Sequence, residues 1–288
     1  MTAVLDRIRP KASLEIHRFA SALAVAVVAL IAAGGLVEAQ AAGPEQPSGS
    51  IVAYRWLAAA VAVLTVVLAV WIGREDSRAW CRRAAWVAVA TVPFPLFLGW
   101  RQGLVEPLSV ALGLAVLVQA YLGLMLTLSV ATSPHWWTAR KESSAGSLRW
   151  WAAAATLVLT LEILLGVAVR HSGAGLAIPD FPLVFGGWVP PTFTLQTGLS
   201  YAHRIGALAA ALAVAPLVIR VVRRCSDRSL LLAALSLGGL LGFQLTLGAL
   251  VVVTGRAVVP NTLHTVAGPV LFAASLALTL HAWRLVRA

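Results

Sequence analysis

The sequence predicts an all-α integral membrane protein, with eight transmembrane helices built as two copies of a four-helix unit. Three observations carry that expectation. Of the 288 residues, 60% are hydrophobic and only 11% charged, against roughly 25% charged in a soluble domain. Eight apolar stretches approach the ~20 residues that a bilayer core asks of a helix. A polar stretch from Ser133 to Leu148 separates two halves of similar pattern, 1–140 and 141–288.

The first apolar stretch, residues 18–37, follows basic residues and ends near Ala39-Gln40-Ala41, as a secretory signal would. It is longer than a normal signal core, and its removal would leave an odd number of helices. It is therefore expected to stay as the first helix. The next stretches cover 52–72, 84–100 and 107–130, and the third of these carries Pro93 and Pro95, which weaken it as a helix. The second unit reads as 150–169, 199–222, 229–253 and 262–284.

The net charge of +11 is distributed by topology. Apart from Arg55, Arg101, Arg170, Arg204 and Arg256, the 22 Lys and Arg residues fall at the two termini and in the 2/3, 4/5 and 6/7 loops. The positive-inside rule then places both termini in the cytoplasm, in a multi-pass protein of the cell's inner membrane. The basic residues face lipid headgroups and call for no nucleic-acid partner. Only Cys81 and Cys225 are present, both in loops assigned to the reducing cytoplasmic side, so no disulfide is expected.

The halves align through Gly34 with Gly166, Tyr54-Arg55 with His203-Arg204, Leu98-Gly99 with Leu247-Gly248, and Pro107 to Ala111 with Pro260 to His264. Glu162-Ile-Leu-Leu-Gly166 and Gln244-Leu-Thr-Leu-Gly248 share a polar-x-x-Leu-Gly signature, whose small residue lets helices approach closely. Internal repeats are common in membrane proteins, transporters included.

His203 and His264 each open an apolar segment at the same exterior face. Two imidazoles at one depth on facing helices can hold a haem iron from both sides. The plainer reading is a pair of interfacial hydrogen-bonding histidines. Arg204 and Arg170 stand at the same edge, where a guanidinium can bind a haem propionate bidentately or simply snorkel to the headgroups. The loop from Arg170 to Leu183 is punctuated by Gly173, Gly175, Pro179, Asp180 and Pro182 and is expected to fold back as a lid. His171 within it reads as a loop hydrogen-bonder. Glu162 is the one acid deep in a predicted membrane helix, either a functional carboxylate or a protonated helix contact. His17, His135 and His281 are assigned no chemistry.

At these residues the sequence resembles the haem A synthase family of cytochrome oxidase assembly. The carrying motifs are Leu165 to Arg170, Gly173 to Leu183, His203-Arg204, Gln244-x-x-Leu-Gly248 and Pro260 to His264. The first half matches more weakly, through His17 to Ala20 and Gly34 to Val37. The resemblance implies two pseudosymmetric four-helix bundles. The second would hold a haem b through His203 and His264, with Arg204 and Arg170 beside it. The first would take haem O as substrate and oxidise a ring methyl to the formyl group of haem A.

The first half departs from that pattern. The family's glutamate aligns with Ile51, and its two histidines with Tyr54 and Ala111; Arg55 alone is kept. Its lid has shrunk to Glu38 through Ser50, with Glu38 and Glu45 as the remaining acids. Two functions follow from different classes. One is an oxidoreductase converting haem O to haem A, with an unidentified electron donor and haem O synthase or other assembly factors as partners. In it Tyr54 could bind iron only as a phenolate. The other is a non-catalytic haem b protein in electron transfer, haem handling or assembly. A transporter would instead lack stoichiometric haem and tolerate loss of His203.

Overall fold

The computed structural model describes residues 14–41, 48–93, 107–134, 136 and 145–287. Eight α-helices follow in order: α1 Leu14–Ala41, α2 Ser48–Glu75, α3 Ala79–Thr91, α4 Leu108–Thr132, α5 Ala145–His171, α6 Leu195–Arg224, α7 Arg228–Val253 and α8 Val258–Arg287. Seven of them are long and apolar enough to cross a bilayer. The exception is α3, which covers 13 residues; Pro95 and the rest of the predicted third span lie outside the described residues. So do Arg7, Arg9, Lys11, Glu45, Leu98-Gly99, Arg101, His135, Arg140 and Lys141. The chain is an all-α, multi-pass membrane protein.

The helices are apolar on every side, the mark of a membrane span. Val25, Val63, Leu161, Leu212 and Leu235 point outward and are exposed, where hydrocarbon rather than water suits them. Inward-facing side chains form two cores. One joins α1 to α4 around Leu23, Val27, Leu68, Ile72, Leu122 and Met125. The other joins α5 to α8 around Ala152, Leu159, Val214, Leu217, Leu237 and Leu278. Each of α1 to α4 packs on the next and α4 returns to α1, and α5 to α8 repeat that order with α8 returning to α5. The sets meet where α8 packs on α1 and α4, and α4 on α5.

Several polar groups inside the helices are satisfied by neighbouring groups, as a hydrocarbon surrounding favours. Thr65 donates to the Val61 carbonyl at 2.7 Å and lies 2.5 Å from the buried Tyr121 hydroxyl. His17 bonds the Ser129 carbonyl at 2.9 Å and ties α1 to α4. Near the same helix ends, guanidinium groups lie over indoles: Arg149 over Trp150 and Trp283, Arg220 over Trp151 and Arg284 over Trp136. Such Arg–Trp pairs suit a headgroup interface. Cys81 sits inside α3, one turn further along than a loop position, and is buried; Cys225 caps the end of α6.

The segment after α5 is built, not slack. Gly173 takes a positive φ of 71°, which glycine adopts freely, and a 3₁₀ turn follows at Ala174–Leu176. Gly175 belongs to that turn and has no positive φ; its bare Cα faces the Arg256 side chain instead. Val184 and Gly187 exchange backbone hydrogen bonds of 2.9 and 3.0 Å. Asp180 accepts from the N–H groups of Phe185 and Gly186, each at 2.8 Å. Ile178, Ala174 and Val184 are buried beneath the fold-back.

Candidate functional site

The lid is held to the helices by Arg204. Its guanidinium donates to the Leu183 carbonyl at 2.8 Å and to the Ile178 carbonyl at 2.9 Å. Thr194 and Thr197 form a capping box at the start of α6, so the helix begins at Leu195, one turn before the apolar stretch. In the same way α8 begins at Val258. His203 and His264 are therefore set below the first turn of their helices, not in it, and both by a similar amount.

The structure brings the two histidines together. Their ring centroids lie 6.2 Å apart with planes at 83°. Each ring rests on a glycine of the neighbouring helix. A Cβ on Gly166 of α5 would stand 3.3 Å from Cε1 of His203, and one on Gly248 of α7 would stand 3.1 Å from Cε1 of His264. The polar-x-x-Leu-Gly signature thus marks the two ring seats.

The polar member of each signature lies one turn below its glycine and beside the same histidine. Glu162 Oε1 is 2.8 Å from His203 Nδ1. The two groups form an acid–imidazole pair outside hydrogen-bond alignment, and Glu162 Oε2 and His203 Nδ1 have no other partner. The carboxylate fits because Gly206 has no side chain; a Cβ there would overlap Oε2. Gln244 donates from Nε2 to the His264 carbonyl at 3.1 Å, while Gln244 Oε1 and His264 Nδ1 are buried without partners.

Arg170 is at the last turn of α5, and it donates to Thr265 Oγ1 at 2.9 Å, next to His264. His171 turns back to its own helix and bonds the Val167 carbonyl at 3.1 Å. Among the described residues no cluster of three or more His, Cys, Asp and Glu gathers as a metal site would; the two histidines stand as a pair. Gly206, Gly268 and Thr265 were not singled out by the sequence. The signal for the glycines was their place one turn after each histidine.

In the first four helices the aligned positions are packed apolar core. Leu30, Tyr54 and Ala111 are each buried to 6% exposure or less, and Ile51 packs against the same cluster. Arg55 lies exposed.

Helices long and apolar enough to cross a membrane, two of them carrying facing, glycine-seated imidazoles beneath a folded-back loop, define the class: a multi-pass helical membrane protein with a paired-histidine site. A family profile described as cytochrome oxidase assembly protein matches residues 52–276, and the chain belongs to that family, the haem A synthase family. It is 36% identical over 98 residues to "Heme A synthase" of Shouchella clausii (strain KSM-K16), covering 34% of this chain and 33% of that protein. It is 32% identical over 137 residues to "Heme A synthase" of Geobacillus thermodenitrificans, covering 46% of this chain and 43% of that protein. The similarity thus spans less than half the length of these curated relatives.

Proposed function

We propose that this chain is a haem b protein of cytochrome oxidase assembly, with His203 and His264 as axial ligands and a role in converting haem O to haem A. The observation that carries it is the facing of two imidazoles at 6.2 Å. Two metal–imidazole bonds of about 2 Å each, added to the ring radii, need a similar span. An edge-to-face ring pair also falls in this range; the glycine seats under both rings, Gly166 and Gly248, favour a ligand between them.

The residues present fit a haem. Gly166 and Gly248 leave room for each ring to stand edge-on to its helix. A guanidinium has five donors, more than the two that Arg204 spends on the lid, so Arg204 and Arg170 suit propionates at the exterior edge. The haem would supply one-electron chemistry at its iron. The chain's part is to orient both imidazoles, neutralise the propionates and, through the lid of Ile178 and Val184, exclude water. In this reading the protein sits in the inner membrane with both termini cytoplasmic, as eight spans in two pseudosymmetric bundles covering 1–140 and 141–288.

A second reading, a haem b protein without haem O oxidation, is favoured by one observation: the positions aligned with the first-half ligands are Tyr54 and Ala111, buried in apolar core. Expression in a host that makes haem O but no haem A, followed by haem extraction and chromatography, separates the two. Haem A in the extract is expected under the first. Haem b alone supports the second. In either case His203→Ala or His264→Ala should abolish the low-spin haem spectrum, and an unchanged spectrum in both variants would overturn the site.

A further inference from the structure

We infer that Glu162 is the positioning carboxylate of the His203 imidazole, whereas Gln244, its counterpart beside His264, holds only that residue's backbone carbonyl, so that the two imidazoles are held by unlike chemistry. This rests on the haem reading above and adds a division of labour between its ligands.

Two reciprocal interlocks carry the inference. Helix α5 presents Glu162 and Gly166 one turn apart, and α6 presents His203 and Gly206 one turn apart. The His203 ring fills the space over Gly166, and the Glu162 carboxylate fills the space over Gly206. On the other side α7 presents Gln244 and Gly248, and α8 presents His264 and Gly268. The His264 ring lies over Gly248, and Gln244 Nε2 lies 3.6 Å from where a Gly268 Cβ would stand. The geometry is repeated, but the chemistry is not. The carboxylate addresses the Nδ1 edge of its imidazole at 2.8 Å, whereas the amide is tied to its histidine through the backbone carbonyl.

An intramembrane carboxylate is costly and is kept where it has a role. Here a helix position has given up its side chain to admit one. A metal-bound imidazole that offers its second N–H to a carboxylate is fixed in tautomer and orientation and becomes a stronger donor to the metal. With Glu162 Oε1 at 2.8 Å from Nδ1, a His203 whose Nδ1–H turned to that carboxylate would leave Nε2 as the edge for iron. Stronger donation favours the oxidised metal, so the Glu162 side should set a low midpoint potential.

Potentiometry on purified, haem-loaded, full-length protein in nanodiscs at one fixed pH tests this. Glu162→Gln keeps the size and an acceptor oxygen, so a packing role would leave the potential unmoved. The expected result is a raised midpoint potential and haem retention weakened about tenfold, the usual scale for losing such a partner. Gly206→Ala, which evicts the carboxylate without changing it, should shift both in the same direction. Gln244→Glu, which adds a carboxylate on the opposite side, should lower the potential and keeps the test open if the α5–α6 variants fold poorly. Wild-type potential and retention in all variants that fold would overturn the inference and leave the haem site standing. A wild-type chain that carries no low-spin haem would overturn the haem reading itself, and this inference with it.

Discussion

Gly248 lies inside α7, where glycine costs about 1 kcal/mol relative to alanine, and the three atoms nearest to its missing Cβ all belong to the His264 ring. Gly113 in α4 meets nothing within 4 Å. The same substitution should therefore have opposite effects at the two sites. Gly113→Ala should leave haem content unchanged and raise thermal stability slightly, by up to about 1 kcal/mol. Gly248→Ala sets a methyl 3.1 Å from Cε1, tilts the ring off its seat and should cut haem retention about tenfold. The haem-to-protein ratio of the two variants, measured after identical purification, checks the contrast; equal ratios would remove the glycine seat from the account. At this scale the histidines were legible because a polar ring at the mouth of an apolar run stands out. Their partners were half legible. Glu162 and Gln244 share a visible signature, yet their pairing with His203 and His264 depends on which helices become neighbours, and nothing in one helix's own pattern states that.

The lid is held by two kinds of contact, Arg204 to the Ile178 and Leu183 carbonyls and Asp180 to its own loop. Asp180 is exposed, and the N–H groups of Gly186 and Phe185 hold its carboxyl below the usual carboxylate range. A depressed folded pKa means that the carboxylate's contribution is complete above the unfolded value, near 3.9, and is lost as pH falls through the lower, folded value. The lid should accordingly keep its order at neutral and mildly acidic pH and loosen only below about pH 4. Asp180→Ala should loosen it at every pH. Amide hydrogen exchange over residues 178–187, followed across pH, reads both; protection in Asp180→Ala equal to wild type would show that Arg204 alone holds the segment. The Gly/Pro/Asp punctuation made a folded-back loop legible, and Gly173 does take the left-handed conformation. Gly175 does not, because close approach to Arg256 rather than backbone sign is what a glycine serves there. Helix starts were misjudged by one turn for a related reason. Apolar content marks where a helix enters hydrocarbon, while α6 begins earlier, at the Thr194–Thr197 cap, and α8 begins before Pro260, in a first turn that tolerates proline.

Across the whole molecule, the all-α membrane class was legible from the apolar runs, but the contacts that join the first four helices to the last four were not. One point of that link is Gly35 of α1. A Cβ at Gly35 would stand 3.0 Å from Thr265 Cγ2 and 3.7 Å from both terminal nitrogens of Arg170. Thr265 is one residue beyond His264 and holds Arg170 by a 2.9 Å bond. Thr265 Oγ1 donates to the Asn261 carbonyl at 2.8 Å while it accepts from Arg170, so rotating it aside costs both bonds. Side-chain bulk on α1 thereby bears on the turn of α8 that carries His264. Gly35→Val should part Arg170 from Thr265 and overpack the α1–α8 contact by about 1–3 kcal/mol, weakening haem retention severalfold, although the substituted residue touches neither histidine. Gly35→Ala should produce the same change in smaller measure, and Gly73→Ala, at a position with nothing within 4 Å, none. Haem content of the three purified proteins decides the matter. If Gly35→Val retains haem as the wild type does, the first four helices act only as a scaffold beside the site. If it does not, the first four helices, where Tyr54 and Ala111 align with His203 and His264, still govern the helices that carry those histidines.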